Sequence, residues 1–221
     1  MSKESSRHGD TSTSTYIDPG ATTKEAYRIS KTSRTLAQKT LGNNSPEDRV
    51  RQRCSVAVGD FAMADLLRFN ADPVPATIAA LKAGAPIITD IRMVRVGIQK
   101  KGHCSEVLCA LDYGSDIAKA KEITRSSAGI LALRDRIPGS IIVIGNAPSA
   151  LLFVCDLIKE GVRPAVVIGT PVGFVNAAES KSLLRTIDIP SISTEGTRGG
   201  TPVAVAAINE CITILIGESA Q

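Results

Sequence analysis

The sequence predicts an α/β fold, a mainly parallel sheet between two helical layers, from three features of its 221 residues. Short, continuous apolar runs recur along the second half of the chain and are rich in β-branched residues. Runs that are apolar throughout belong to strands buried on both faces, as in a parallel sheet. Segments of helical periodicity alternate with these runs, and three runs empty into Gly-containing loops ahead of a helix.

Taken in order, residues 1–24 are polar and rich in Ser, Thr, Lys and Gly, which predicts a flexible tail. Tyr16 and Ile17 are its expected first contacts with a single domain over 25–221. A polar helical pattern covers 23–38. Ser45-Pro46-Glu47-Asp48 reads as a helix start, with a Ser cap, Pro in the first position and acids in the first turn. That helix should reach Val58 and break at Gly59. A second helical stretch is expected over 60–69, a turn at 72–75, and an Ala-rich helix over 76–83 ending at Gly84. Strands are expected at 86–90, 107–111, 140–144 and 165–168. A further edge strand is expected at 187–192, interrupted by Pro190. Helices are expected at 116–125, 148–160, 177–185 and 201–216.

Composition narrows the function. Aromatic residues make up only 3% of the chain, which argues against capture of bases by stacking. The net charge of +4 is too small to predict nucleic-acid binding, but it suits an anionic small molecule. Five cysteines (54, 104, 109, 155 and 211) show no CxxC spacing, so neither a disulfide framework nor a metal site is expected. The first fifteen residues contain no apolar h-region, and no apolar run is read as membrane-length. These features predict a reduced, cytoplasmic protein.

In doubly wound folds ligands bind beyond the carboxyl ends of the strands. Three loops fall there: Gly145-Asn146-Ala147-Pro148-Ser149, then 169–176 with Gly173, Phe174, Val175 and Asn176, then 194–201 with Arg198, Gly199, Gly200 and Thr201. Each is a tight βα turn, and together they form a candidate anion site built on backbone N–H groups and helix dipoles. None matches the P-loop or dinucleotide fingerprint. Arg198, flanked by Thr197 and Gly199 in a Gly-rich loop, suits bidentate capture of a carboxylate. Arg125 is either a ligand contact or a solvated cation ending the 116–125 helix. Glu179 stands three residues after Asn176, the spacing of a capping box, which competes with a catalytic role. Asp90, after Thr89 at a strand end, is a site residue or a turn former. Of the two histidines, His8 lies in the tail and His103 in an expected loop tip. Neither is placed as a general base.

The blocks 145–150 (GNAPSA), 169–181 (GTPVGFVNAAESK), 198–201 (RGGT) and 81–87 (LKAGAPI), with Thr89, Asp90, Met93 and Thr124-Arg125, resemble the precorrin-8X methylmutase family. This family is also called cobalt-precorrin-8 methylmutase. The likeness runs in order from about residue 16 to 215. It implies a flavodoxin-like fold, a homodimer with its site near the subunit interface, and methyl migration between adjacent ring carbons of an anionic corrin precursor. It implies no cofactor. By the same likeness Arg125 and Arg53 are catalytic, and the strand-end and loop residues named above bind substrate. The family pattern Arg-x-x-His departs here: Arg53 matches, but Val56 stands where the catalytic histidine is expected. A family serine that contacts the substrate falls at Ala26.

Overall fold

The computed structural model describes residues 21–219. The expected tail lies outside the described residues except at its C-terminal end. Six strands form one sheet: β1 (Leu67–Asn70), β2 (Ile87–Thr89), β3 (Val107–Cys109), β4 (Ile141–Ile144), β5 (Val166–Gly169) and β6 (Ser191–Thr194). Their order across the sheet is β3-β2-β4-β5-β6-β1. β2 to β6 are parallel, and β1 pairs antiparallel with β6 at the edge. The five parallel strands alone read 2-1-3-4-5 in their own chain order. This is the flavodoxin-like winding, whose switch point lies between β2 and β4.

Alternate residues of each strand enter two separate cores. Ile87, Ile141, Val143, Val166 and Ile168 pack under α4 (Pro73–Lys82), α5 (Arg92–Gly97) and α10 (Thr201–Ser219). Ile88, Ile142, Ile144 and Val167 pack under α7 (Arg125–Ala132), α8 (Pro148–Lys159) and α9 (Ala177–Arg185). Over α10 lies α2 (Pro46–Val58), and α1 (Lys24–Leu41) packs on α2. The start of α2 is as expected: Ser45 and Asp48 form a reciprocal capping box, Pro46 is the first residue, and Gly59 ends the helix in the left-handed region.

Several expected elements are corrected. The helix expected over 60–69 is only α3 (Met63–Leu66), because Leu67 and Phe69 alternate with Arg68 and Asn70 and pair with β6. The turn at 72–75 is instead the first turn of α4, where prolines are tolerated because those N–H groups have no intrahelical acceptor. The 116–125 helix is α6 (Ser115–Lys121), ended by Glu122 at φ 52°, and Arg125 begins α7. The strand expected at 187–192 starts only at Ser191 and is interior. Pro190 contributes just its carbonyl, which accepts from the Val167 N–H at 3.0 Å. α10 is long and apolar enough to span a membrane, contrary to the reading above, but 67% of its most apolar stretch is buried against this protein.

Candidate functional site

The three Gly-containing loops meet at the carboxyl edge of the sheet. The Gly173 N–H donates to the Thr197 carbonyl at 3.1 Å, and the Gly200 N–H donates to the Thr170 carbonyl at 2.7 Å, which ties the second loop to the third. A Cβ placed on Gly145 would lie 3.0 Å from the Thr201 Cα, which brings the first loop against the start of α10. Gly199 is obligatory: its φ is +157°, and a Cβ there would stand 2.3 Å from the Thr170 carbonyl oxygen.

The backbone amides of the first loop have an acceptor within the protein. Asp90, fully buried at the end of β2, fills the switch-point crevice with its own carboxylate. It accepts from the N–H groups of Asn146 and Ala147, both at 2.7 Å, of Ile91 at 3.0 Å and of Gly145 at 3.2 Å. Burial pushes the Asp90 carboxyl up and the four amides pull it down; burial wins. Thr89 is also buried, and its hydroxyl donates to the Leu108 carbonyl at 3.0 Å. Both residues build the rim from beneath.

At the second loop, Phe174 is 95% exposed and Val175 75% exposed, so an apolar tip faces outward. Asn176 lies in the left-handed region at φ 60° and makes no side-chain cap bond, which corrects the expected capping box with Glu179. At the third loop, the Arg198 guanidinium pairs with Asp60, just past the end of α2, and about half of its side chain stays exposed. Beneath this loop is Lys181, which is fully buried. It donates to the Arg198 carbonyl at 2.7 Å and to the Thr194 hydroxyl at 3.1 Å. Burial, with Arg185 adding repulsion, lowers its pKa to about 8.

Arg125 sits on the same rim. Thr124 caps α7 by accepting from the Ser127 N–H, and its hydroxyl lies 3.0 Å from the Ser149 hydroxyl, beside the first loop. Arg125 is the first residue of α7 and not the end of the preceding helix, so the dipole there opposes its charge and does not favour it. Its guanidinium is exposed and has no ion-pair partner among the described residues.

A second region lies between α1, α2 and α10. Glu210, 1% exposed, receives Arg34 through Nη2, Arg49 through Nε at 2.9 Å and Arg53 through Nη1 at 3.5 Å. Beside it a cavity of about 300 Å³ is lined by Ser30, Ser33, Arg34, Arg53, Val56, Ala57, Val205, Ala206 and Asn209. Arg53 and Val56 therefore share a wall, while Ala26 is not part of it. Sequence reasoning missed Arg34, Glu210 and Lys181. Glu210 is the one charge in the apolar middle of α10, and Lys181 sits in the buried stripe of Ala177 and Leu184; both were visible signals. His103 lies before β3, at the opposite end of the sheet. Its Nδ1 accepts from the Ser105 N–H, so its Nε2 donates to the Gln99 carbonyl at 2.8 Å.

Comparison with known proteins gives consistent matches. The sequence profile described as Precorrin-8X methylmutase matches residues 28–214. The cobalt-precorrin-8 methylmutase of Methanocaldococcus jannaschii is 38% identical over 213 residues, covering 91% of this chain and 100% of that protein. The precorrin-8X methylmutase of Pseudomonas aeruginosa is 38% identical, covering 75% of this chain and 83% of that protein. The crystal structure of precorrin-8X methyl mutase from Thermus thermophilus superposes with a TM-score of 0.80 at 34% identity, covering 87% of this chain and 97% of that chain.

Proposed function

The chain belongs to the precorrin-8X methylmutase family, and from that premise we propose that it is an isomerase of cobalamin biosynthesis. It moves a methyl group between adjacent ring carbons of precorrin-8 or its cobalt form. The observation that carries the reading is the joining of three βα loops into one rim, with exposed Arg125 beside the first and half-exposed Arg198 in the third. Guanidinium groups at a rim suit the acidic arms of a corrin precursor, since each matches a carboxylate in bidentate fashion. Asp90 and Lys181 hold the rim's shape. The outward Phe174 and Val175 favour an apolar partner, either the ring face or a second copy in a homodimer. Five free thiols favour a reducing, cytoplasmic location.

A second reading comes from Val56. It lines the cavity beside Arg53 at the position where the family pattern expects histidine. Valine neither accepts nor donates a proton. Among the described residues the cavity wall otherwise offers hydroxyl, amide and guanidinium groups, and no carboxylate or imidazole. A chain without that acid either turns over slowly, at a cost of about 10²–10⁴-fold, or binds and delivers the corrin without rearranging it.

The test is to mix the purified protein with precorrin-8 and follow the spectral change to product. Turnover that disappears in Arg125→Ala and rises in Val56→His supports the isomerase. Binding without conversion in both the parent and Val56→His supports the carrier. Absence of binding in all three defeats both.

A further inference from the structure

Lys181 is a costly residue for the place it occupies. It shares a buried stripe of α9 with Ala177 and Leu184, where an apolar side chain would pack without desolvating a charge. Its ammonium is received by two neutral oxygens, the Arg198 carbonyl at 2.7 Å and the Thr194 hydroxyl at 3.1 Å. Among the described residues no carboxylate pairs with it, and Arg185, one turn further along the same helix, adds repulsion. Its lowered pKa, about 8, reports the same desolvation. A buried cation without a counter-charge does not serve stability.

What the ammonium touches is the backbone of Arg198. The Thr194 hydroxyl, which accepts from Lys181, donates to the same Arg198 carbonyl at 2.7 Å. That carbonyl belongs to the peptide group following Arg198. The peptide group before it is held as well, because the Thr197 carbonyl accepts from the Gly173 N–H at 3.1 Å. Peptide groups are planar, so two held planes set the direction in which the Arg198 side chain leaves the backbone. Without the ammonium, the Arg198 carbonyl would keep only the Thr194 hydroxyl, and that hydroxyl would lose the donor that orients it. The guanidinium so aimed pairs with Asp60 and stays about half exposed.

We infer that Lys181 is a positioning residue: from beneath the rim it fixes the Arg198 peptide, and so aims the Arg198 guanidinium at an acidic arm of the substrate. The identity of that arm rests on the corrin-precursor reading. Lys181 is fully buried and acts only through Arg198. It also couples two loops, since α9 starts directly after the second loop and its lysine holds the third.

Two measurements separate positioning from packing. The first is amide hydrogen exchange without ligand, in the parent, Lys181→Met and Thr194→Val. Lys181→Met should speed exchange at Gly199 and Gly200 about tenfold and leave the strands unchanged; Thr194→Val should act in the same direction, and it decides the matter if Lys181→Met does not fold. The second is an absorbance titration with two probes: a cobalt corrin carrying its arms as free acids, and the same corrin with every arm as a methyl ester. Lys181→Met should weaken binding of the acid about tenfold, the scale of one charge-assisted hydrogen bond, and leave binding of the ester unchanged. In an Arg198→Ala background the same change should have no further effect on the acid. Unchanged exchange at Gly199 and Gly200 overturns the inference. So does a loss that is equal for acid and ester, or that adds in full to the loss from Arg198→Ala, since either would make Lys181 a packing residue. Failure of the parent to bind the acid defeats the corrin reading instead, and the exchange result then decides by itself whether Lys181 fixes Arg198.

Discussion

The switch-point crevice and the arginine cavity are built from opposite imbalances. At the crevice four backbone N–H groups converge, and the protein fills them with its own Asp90 carboxylate. In the cavity three guanidinium groups converge on one Glu210, and space remains beside them. The first is a network in which each of the four amides has an acceptor. The second lacks an anion. In flavodoxin-like folds the crevice is the expected ligand position. Here the Asp90 carboxylate already occupies the amides of the crevice, while Arg125 and part of Arg198 stay open to solvent.

The largest effect follows from the first half of that contrast. Asp90→Ala removes the acceptor from four amides at once, three of them in the first loop. The cost should be about 3–5 kcal/mol in urea denaturation, the range for breaking one side of a buried charged network. Small carboxylates such as formate should restore part of the loss if the nest stays intact. A variant with unchanged stability would show that the amides find water readily, and the crevice would again be open to a ligand.

A middle-sized effect concerns Lys181, a buried charge whose hydrogen-bond partners are neutral, unlike Asp90 or Glu210 with their many donors. Its pKa is lowered from 10.5 to about 8 in the folded chain. Between those values the unfolded chain holds a proton that the folded chain has lost. Stability should therefore rise as pH rises from about 8 to 10.5, by at most roughly 3 kcal/mol. Below pH 8 both states are protonated and the contribution is flat. Lys181→Met should abolish the rise when unfolding is measured across that window. A parent protein whose stability does not change over the same range would mean that the Thr194 hydroxyl and Arg198 carbonyl hold the ammonium as well as water does.

Much of this arrangement was legible in the sequence, for physical reasons. Strands apolar throughout, such as Ile141–Ile144, have one interpretation in a chain of this size, so the parallel sheet and its order of elements followed. The Gly-containing loops announced their place on the rim because glycine at a strand end reports backbone geometry locally. Pairings between distant residues left no such trace. Asp90 meeting 145–147 spans more than fifty positions, and its carboxylate reads equally as a ligand contact or a lock. β1 was hidden because four alternating residues also fit a helix, and only β6 supplies its partner. The cavity was missed because Arg34 and Glu210, 176 positions apart, become meaningful only when α1 and α10 meet.

The smallest expected effect tests the boundary between the two regions. Asp60 lies between them, past the end of α2 and paired with Arg198 on the rim. It resembles Asp90 in being a protein carboxylate set against donors, but it is exposed, so water and ligand can compete for Arg198. Two interactions hold the Asp60 carboxyl below its ordinary range, first the Ala62 N–H and then Arg198. Asp60→Asn removes the competing charge without uncovering any buried group. Thermal stability should not change measurably, because exposed pairs contribute little. The acid form of the corrin should bind about two- to fivefold more tightly, the scale of one exposed ion pair, and the ester form should be indifferent. Weaker binding of the acid would reverse the assignment: Asp60 would then be orienting Arg198 for the ligand, and the rim would share with the cavity a carboxylate that aims its arginine.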